Sequence, residues 1–178
     1  ATALLSKAGA AIGELNAVRK HLSRVKGGRL AAASRAGRWI SLILSDVIGN
    51  PVDVIASGPT TPDPATYADA LAVIRRFKLE ERMPASVMHH LVRGRNGEEP
   101  ETPKTLPPCI INRIAADNGL ALRAAADEAR ARGYEVTRLA DPIQGESREV
   151  GAALVRRLAA ERQPDGRPRC LLAGGEPV

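Results

Sequence analysis

Apolar residues recur at helical spacing through residues 1–10 and 12–25, which predicts two helices with a break near Gly13. Gly27-Gly28 then permits a sharp turn that few other residue pairs allow. Residues 29–36 read as a short Ala-rich helix closed by Gly37. Residues 39–44 form an apolar run bounded by turn residues, the pattern of a strand covered on both faces in a parallel sheet. A helical turn is predicted over 53–57, stopped by Gly58-Pro59, with a proline-containing loop over 60–64. Helices follow over 66–77 and 84–92. Residues 93–108 hold Pro100, Pro103, Pro107 and Pro108 among polar residues and predict a surface connection or hinge.

The last third alternates regularly. Strands are predicted over 109–112, 134–139 and 169–172, and helices over 117–132 and 147–162, with Gly133 as a left-handed stop. Strands joined by helical crossovers require a mostly parallel sheet with helices on both faces, an α/β fold.

Aromatic residues are only 2% of the chain, so Ala and Leu must fill the interior. The net charge of +6 points to anionic partners. A groove for nucleic-acid bases would interleave aromatics for stacking, and Trp39, Tyr67, Phe77 and Tyr134 are too scattered for that. Much of the Arg alternates with acids at helical spacing, as in 124–132, which is a solvated helix surface. Cys109 and Cys170 each open an apolar run with no second metal ligand nearby, as reduced thiols of a cytoplasmic protein do. No apolar run is long enough to cross a membrane, and no signal peptide is recognisable. The chain opens on Ala1 already in helical pattern and is expected to be part of a longer polypeptide.

Ligands of an open parallel sheet collect outside the carboxyl ends of its strands. Four segments are expected there: Ser45-Asp46-Val47, Asn112-Arg113, residues 141–146 and Gly174-Gly175-Glu176. Asp46, directly after a strand, is placed to hold Mg²⁺ or orient a hydroxyl, and Ser45 to add a hydrogen bond; capping of the turn toward Gly49-Asn50 is the plainer alternative. Phosphoryl transfer needs cations and backbone donors around the moving group. Arg19, Lys20, Arg24, Lys26 and Arg29 supply cations, and Gly27-Gly28 can turn N–H groups toward an anion. The nucleotide loop G-x-x-x-x-G-K-[ST] does not occur, and Lys-Gly pairs end many helices. Lys20 and Arg24 share a helix face and read as solvated. Ser57-Gly58-Pro59-Thr60, followed by Asp63, either closes over a ligand or only stops a helix. His21 reads as a structural hydrogen-bond donor. The Gly174-Gly175 pair after a strand allows close backbone approach to a phosphate.

In order, these blocks resemble the bacterial glycerate 2-kinase family, whose members are often labelled hydroxypyruvate reductases. The resemblance rests on Glu14-Leu15-Asn16, Val18-Arg19-Lys20-His21-Leu22-Ser23, Lys26-Gly27-Gly28-Arg29-Leu30-Ala31 and Ser45-Asp46-Val47. It continues through Val54-Ile55-Ala56-Ser57-Gly58-Pro59-Thr60, Pro62-Asp63-Pro64, Gly145-Glu146 and Gly174-Gly175-Glu176. Each block alone is weak; the order is specific. Ile48 and Asn50 stand where the family usually has Pro and Asp, and Pro177 where Thr is common. The resemblance implies transfer of the γ-phosphoryl group of ATP, with Mg²⁺, to the 2-hydroxyl of D-glycerate, giving 2-phosphoglycerate. It also implies a Rossmann-like three-layer fold that is incomplete here. Residues 1–178 would be a partial N-terminal α/β domain of a two-domain kinase, with a catalytic Lys upstream of Ala1 and a C-terminal domain starting near residue 176.

Carried over residue by residue, Lys26 and Asp46 are expected to be catalytic, with Asp46 the metal ligand. Asn16, Arg19, Ser45, Ser57, Gly58, Thr60 and Asp63 are expected to bind substrate, and Gly27, Gly28, Gly174, Gly175 and Glu176 the nucleotide. Arg19 and Lys26 should matter more than Lys20 and Arg24. The expected partners are glycerate and ATP in the cytoplasm, without nucleic acid or membrane, and a homodimer is allowed. Two other readings stay open. One is an NAD(P)H-dependent hydroxypyruvate reductase, although no G-x-G-x-x-G is present. The other is a non-catalytic anion- or nucleotide-binding α/β domain using the patch from Arg19 to Arg29.

Overall fold

The computed structural model describes residues 1–161 and 166–177. The chain divides into two compact units, Ala1–Ile43 with Pro51–Arg113, and Leu44–Asn50 with Ile114–Val178.

The first unit is built mainly of helices. α1 (Thr2–Lys7) is followed by Gly9 at φ +83°, a left-handed position that suits glycine. The break therefore falls at Gly9, and Gly13 lies inside α2 (Ile12–Leu22). The Ala11 N–H donates to the Glu14 carboxylate at 2.9 Å and closes the first turn of α2. α3 (Arg29–Ala32) is a single turn, shorter than the helix expected over 29–36. A 3-10 turn, Ile55–Ser57, ends at the left-handed Gly58 as expected. α4 (Tyr67–Arg76) opens with a reciprocal cap, in which the Asp69 N–H donates to Thr66 Oγ1 at 3.2 Å and the Thr66 N–H to the Asp69 carboxylate at 2.8 Å. Its stripe of Tyr67, Ala70, Leu71 and Ile74 has the helical period of a buried face. With Leu5, Val18, Leu79, Met83 and Leu91 of α5 (Ala85–Arg95) it makes one hydrophobic core. Gly94 admits the Tyr67 ring, which a Cβ at that position would overlap.

The connection over 93–108 is less of a surface loop than expected. α5 runs on to Arg95, and Thr102 is buried. Glu101 accepts the N–H groups of Tyr67 at 3.1 Å and Thr102 at 2.8 Å, and lies 2.7 Å from His21 Nε2. His21 Nδ1 faces the Ala17 carbonyl at 2.6 Å. With an acceptor at each ring nitrogen, the buried imidazole serves as the structural donor expected of it. Burial works to raise the pKa of Glu101, but the Thr102 and Tyr67 N–H groups and the charge of His21 outweigh it and hold the carboxyl below the usual range.

β1 (Trp39–Ser45) and β2 (Ile110–Asp117) are hydrogen-bonded neighbours. β1 was expected to be covered on both faces. Its burial alternates instead, and Ile40, Leu42 and Leu44 stand 54%, 75% and 74% exposed. Alternate side chains of a strand point to opposite faces, so packing on one face alone leaves every second residue open. β2 was expected to stop at Asn112 and runs on to Asp117, which puts Asn112 and Arg113 in mid-strand.

In the second unit Asp117 caps α6 (Asn118–Ala131), its Oδ1 accepting the Leu120 N–H at 2.7 Å, and Gly133 at φ +85° ends it. β3 (Glu135–Arg138) and β4 (Arg169–Leu172) pair in parallel, with Glu135 opposite Arg169 and Arg138 opposite Leu172. α7 (Ser147–Ala160) lies between them in sequence, which makes a βαβ unit. The last residue of the helix expected over 147–162 lies outside the described residues. Two two-stranded sheets stand where one four-stranded sheet was expected, and the α/β class holds. Among the described residues Ala126 is the only buried hydrophobic side chain of this unit, and no helix is long and apolar enough to cross a membrane.

Two outcomes follow from this packing. Gly94→Ala should destabilise the chain by about 1–3 kcal/mol, the usual cost of overpacking, read from the urea midpoint. A carboxyl whose pKa is depressed by folding contributes stability that is complete above its unfolded pKa and is lost as pH falls through the folded value. The wild-type urea midpoint should therefore decline below about pH 4.5, the ordinary value for this group. Glu101→Gln should be less stable at neutral pH and lose less on acidification; an unchanged acid limb would remove Glu101 from this role.

Candidate functional site

Ala56, Ser57 and Gly58 take φ of 52°, 62° and 57° in succession. Only glycine visits this region freely, so two of the three are held there against their preference. The restraints come from α2 and from the Lys-Gly-Gly loop. Ser57 Oγ donates to Asn16 Oδ1 at 2.8 Å, and Asn16 Nδ2 donates to the Val54 carbonyl at 3.3 Å. The Gly27 N–H donates to the Ser57 carbonyl at 3.0 Å and the Gly28 N–H to the Gly58 carbonyl at 2.7 Å. Lys26 Nζ donates to the Ala56 carbonyl at 2.9 Å.

This geometry corrects one expectation. The Gly27 and Gly28 N–H groups, expected to face an anion, are spent on the turn at 56–58. Glycine is required there for close approach: a Cβ on Gly28 would stand 2.7 Å from the Thr61 carbonyl oxygen. Gly58 is constrained likewise, its Cβ position falling 2.9 Å from the Asp53 carbonyl oxygen.

A second correction concerns Lys20. Expected on a solvated face with Arg24, it is only 4% exposed and pairs at 3.2 Å with Asp63, which is fully buried. Arg24 is exposed as expected. Asp63 Oδ1 also accepts the Ala65 N–H at 3.1 Å, while Asp63 Oδ2 is buried without a hydrogen-bond partner among the described residues. Thr60 Oγ1 donates to Asn112 Oδ1 at 2.6 Å and accepts from Ser41 Oγ at 3.2 Å, and Asn112 Nδ2 donates to the Thr60 carbonyl at 2.9 Å. The first unit thus gathers Asn16, Lys26, Gly27, Gly28, Ser57 and Gly58 around one turn, with Thr60 and Asp63 following in the same buried strand of chain. Arg19 stands close enough to Lys26 to act on its charge. Loss of solvation, then the positive charge of Arg19, lowers the Lys26 pKa below that of an ordinary lysine. Among the described residues, neither cation has a carboxylate partner.

The other expected residues lie in the second unit. Ser45 Oγ accepts the Val47 N–H at 3.3 Å, a local turn. Asp46 is exposed and, with Asp117, Asn118, Gly174, Gly175 and Glu176, lines a cleft of about 620 Å³. A smaller hollow of about 250 Å³ shares Asp117, Asn118 and Gly174 and extends to residues 138–142. Both the segment after β1 and the segment after β4 reach this cleft. A Cβ on Gly174 would overlap the Asn118 amide and one on Gly175 the Ile143 backbone, so the glycine pair has a packing reason of its own. Asp117 is engaged by the Leu120 N–H and, at 2.8 Å, by the Asn50 amide, and these two bonds hold its pKa low. That leaves Asp46 and Glu176 as the cleft's carboxylates for a cation. Among the described residues no three His, Cys, Asp or Glu side chains are grouped to hold a metal. Such a partial oxygen set fits Mg²⁺, which commonly takes one or two carboxylates and fills the rest of its octahedron with water and phosphate.

Sequence reasoning missed Lys20, Glu101 and Asn112 as parts of this framework. The Lys20–Asp63 contact spans 43 residues and the His21–Glu101 contact 80, and neither leaves a local signature. Asn112 was noticed as a strand end, not as the partner of Thr60.

Fold and site together define an α/β chain that holds Lys26 at a strained turn within the influence of the Arg19 charge and, separately, an acidic cleft. The family described as "Domain of unknown function (DUF4147)" matches residues 1–92, and the chain belongs to it. It is 40% identical over 178 residues to a "Glycerate 2-kinase" of Pyrococcus horikoshii, an overlap of 98% of this chain and 40% of that protein. It is 38% identical over 216 residues to a human "Glycerate kinase", covering 99% of this chain and 41% of that one. The crystal structure of a Thermotoga maritima glycerate kinase superposes with a TM-score of 0.77 at 35% identity, covering 99% of this chain and 41% of that chain. The chain spans about 40% of the length of the curated relatives it matches.

The strain at Ala56 has a measurable consequence. Ala56→Gly should raise stability by up to about 1 kcal/mol, because glycine carries no penalty in the left-handed region. A lowered urea midpoint would show that the turn is not strained at Ala56.

Proposed function

We propose that the protein carrying this chain is a cytoplasmic glycerate 2-kinase, and that residues 1–178 are part of the N-terminal α/β domain of a two-domain enzyme whose C-terminal domain begins near residue 176. The observation that carries this reading is the pair Arg19 and Lys26. Two neighbouring cations without carboxylate partners are set for an anion, either the glycerate carboxylate or the transferring phosphoryl group. The names of the glycerate kinases that this chain matches support phosphorylation of glycerate.

In that reaction the 2-hydroxyl oxygen of D-glycerate bonds to the γ-phosphorus of ATP as the bond to the β,γ-bridging oxygen breaks. The hydroxyl proton passes to solvent, and 2-phosphoglycerate and ADP leave. Catalysis is mostly positioning and charge stabilisation. Lys26, held by the Ala56 carbonyl, and Arg19 supply fixed positive charge that need not reorganise as the reaction proceeds. Asp46, with Glu176 beside it in the cleft of the second unit, would hold Mg²⁺, which supplies neutralisation of the nucleotide phosphates. Ser45 keeps the turn before Asp46 in place through its bond to Val47. The reductase alternative gains no support from a site of this composition, which offers cations and carboxylates.

A coupled assay for 2-phosphoglycerate on the complete two-domain protein tests the reading. Lys26→Ala should lower kcat/KM by about 10- to 1,000-fold, the loss of a charge-assisted contact or more in the transition state. Wild-type activity should fall on the alkaline side as Lys26 gives up its proton, earlier than for an ordinary lysine. Nucleotide binding without turnover by the complete protein would favour a non-catalytic anion-binding domain. Near-normal kinetics in Lys26→Ala would take Lys26 out of the site.

A further inference from the structure

Three of the residues expected to touch substrate lie in the interior. Asn16 and Ser57 are buried and bonded to each other, and Asp63 is fully buried. Beneath the Lys-Gly-Gly loop, the place where a Gly27 Cβ would stand is 3.1 Å from Lys20 Cβ, 3.2 Å from Asp63 Oδ2 and 3.2 Å from Thr102 Cγ2. Lys20 and Asp63 are therefore the surface on which Gly27 rests. The Gly27 N–H in turn holds the Ser57 carbonyl, and the adjacent Lys26 holds the Ala56 carbonyl. Lys20 Nζ also lies 3.9 Å from Asp53 Oδ2, on the segment that leads into the 3-10 turn.

We propose that Lys20 and Asp63 are positioning residues, a buried ion pair that seats Gly27 and thereby fixes both the strained turn at 56–58 and the place of the Lys26 ammonium beside Arg19. The pair acts through Lys26 and meets no substrate. This inference rests on the kinase reading for its effect on turnover, but not for its effect on Lys26. A buried ion pair can often be replaced by apolar residues of similar size at little loss, whereas removing one partner strands the other, so a double replacement separates the pair's effect on Lys26 from its effect on folding. What the apolar replacement cannot reproduce is the hydrogen-bonded distance that sets the height of Gly27.

The test compares Lys20→Met, Asp63→Asn and the double variant Lys20→Met/Asp63→Leu in the complete protein. Thermal unfolding, kcat and KM are measured, together with the pH dependence of Lys26 acylation by acetic anhydride, read by peptide mass spectrometry. The double variant should unfold close to the wild-type temperature, yet lose at least about tenfold in kcat with a much smaller change in KM, on the order of one lost transition-state contact. Its Lys26 should acylate only at higher pH than in the wild type, as the ammonium swings away from Arg19 into water. If single variants fail to fold, the double variant decides. A folded double variant with wild-type kcat and an unmoved Lys26 profile would overturn the proposal. Should the complete wild-type protein make no 2-phosphoglycerate, the kinase reading fails while the acylation profile still decides whether the pair positions Lys26.

Discussion

Two neighbouring residues of α2, Lys20 and His21, carry polar groups into the interior, and a buried polar group must be satisfied there. Lys20 is satisfied by Asp63 and His21 by Glu101, so two distant segments are drawn onto one helix. The Asp63 N–H donates to the Pro103 carbonyl at 2.9 Å, which joins those segments to each other. Glu101 also takes the first N–H of α4, and the Tyr67 ring that follows packs edge-on against His21 at 4.6 Å. The aromatic centre of the core is thus placed by a polar contact. Packing and polar satisfaction agree at each of these positions, and such agreement specifies a single structure.

The scarcity of aromatic side chains shapes the two units differently. In the first unit Tyr67 belongs to one core with Leu5, Val18, Leu71, Ile74, Leu79, Met83 and Leu91. In the second, α6 packs against β3 and β4 with Ala126 as its one buried side chain, and an alanine removes little apolar area from water. A helix of that kind relies more on its caps, and Asp117 and Gly133 provide them at its two ends.

Much of this was legible in the sequence wherever a rule is local. The helix over α4, the stops at Gly58 and Gly133 and the span of β4 each depend on residues within a few positions of one another. The burial of Lys20 and the docking of Glu101 were not legible, because a charge looks solvated until its partner is known and the prolines around Glu101 read as a loop. The exposure of Leu42 and Leu44 was hidden for the opposite reason: an apolar run announces a strand but not how many faces are covered. The candidate residues were picked out as a set, and their tasks were not. Gly27 and Gly28 bond the turn at 56–58, and the Ser57 and Thr60 hydroxyls bond Asn16 and Asn112.

The turn at 56–58 shows why that distinction matters. A sequence reader places Gly where φ must be positive, and Gly58 obeys; Ala56 and Ser57 do not, and the local rule fails at two consecutive residues. Such failures persist only where surrounding structure over-determines the backbone. Here Asn16, Lys26, Gly27 and Gly28 do so from two sides. Relaxing the turn would cost the Lys26 ammonium its carbonyl anchor and let it drift toward bulk solvent. The strain is therefore the counterpart of anchoring the Lys26 ammonium within reach of the Arg19 charge, an arrangement that hydration and mutual repulsion both oppose.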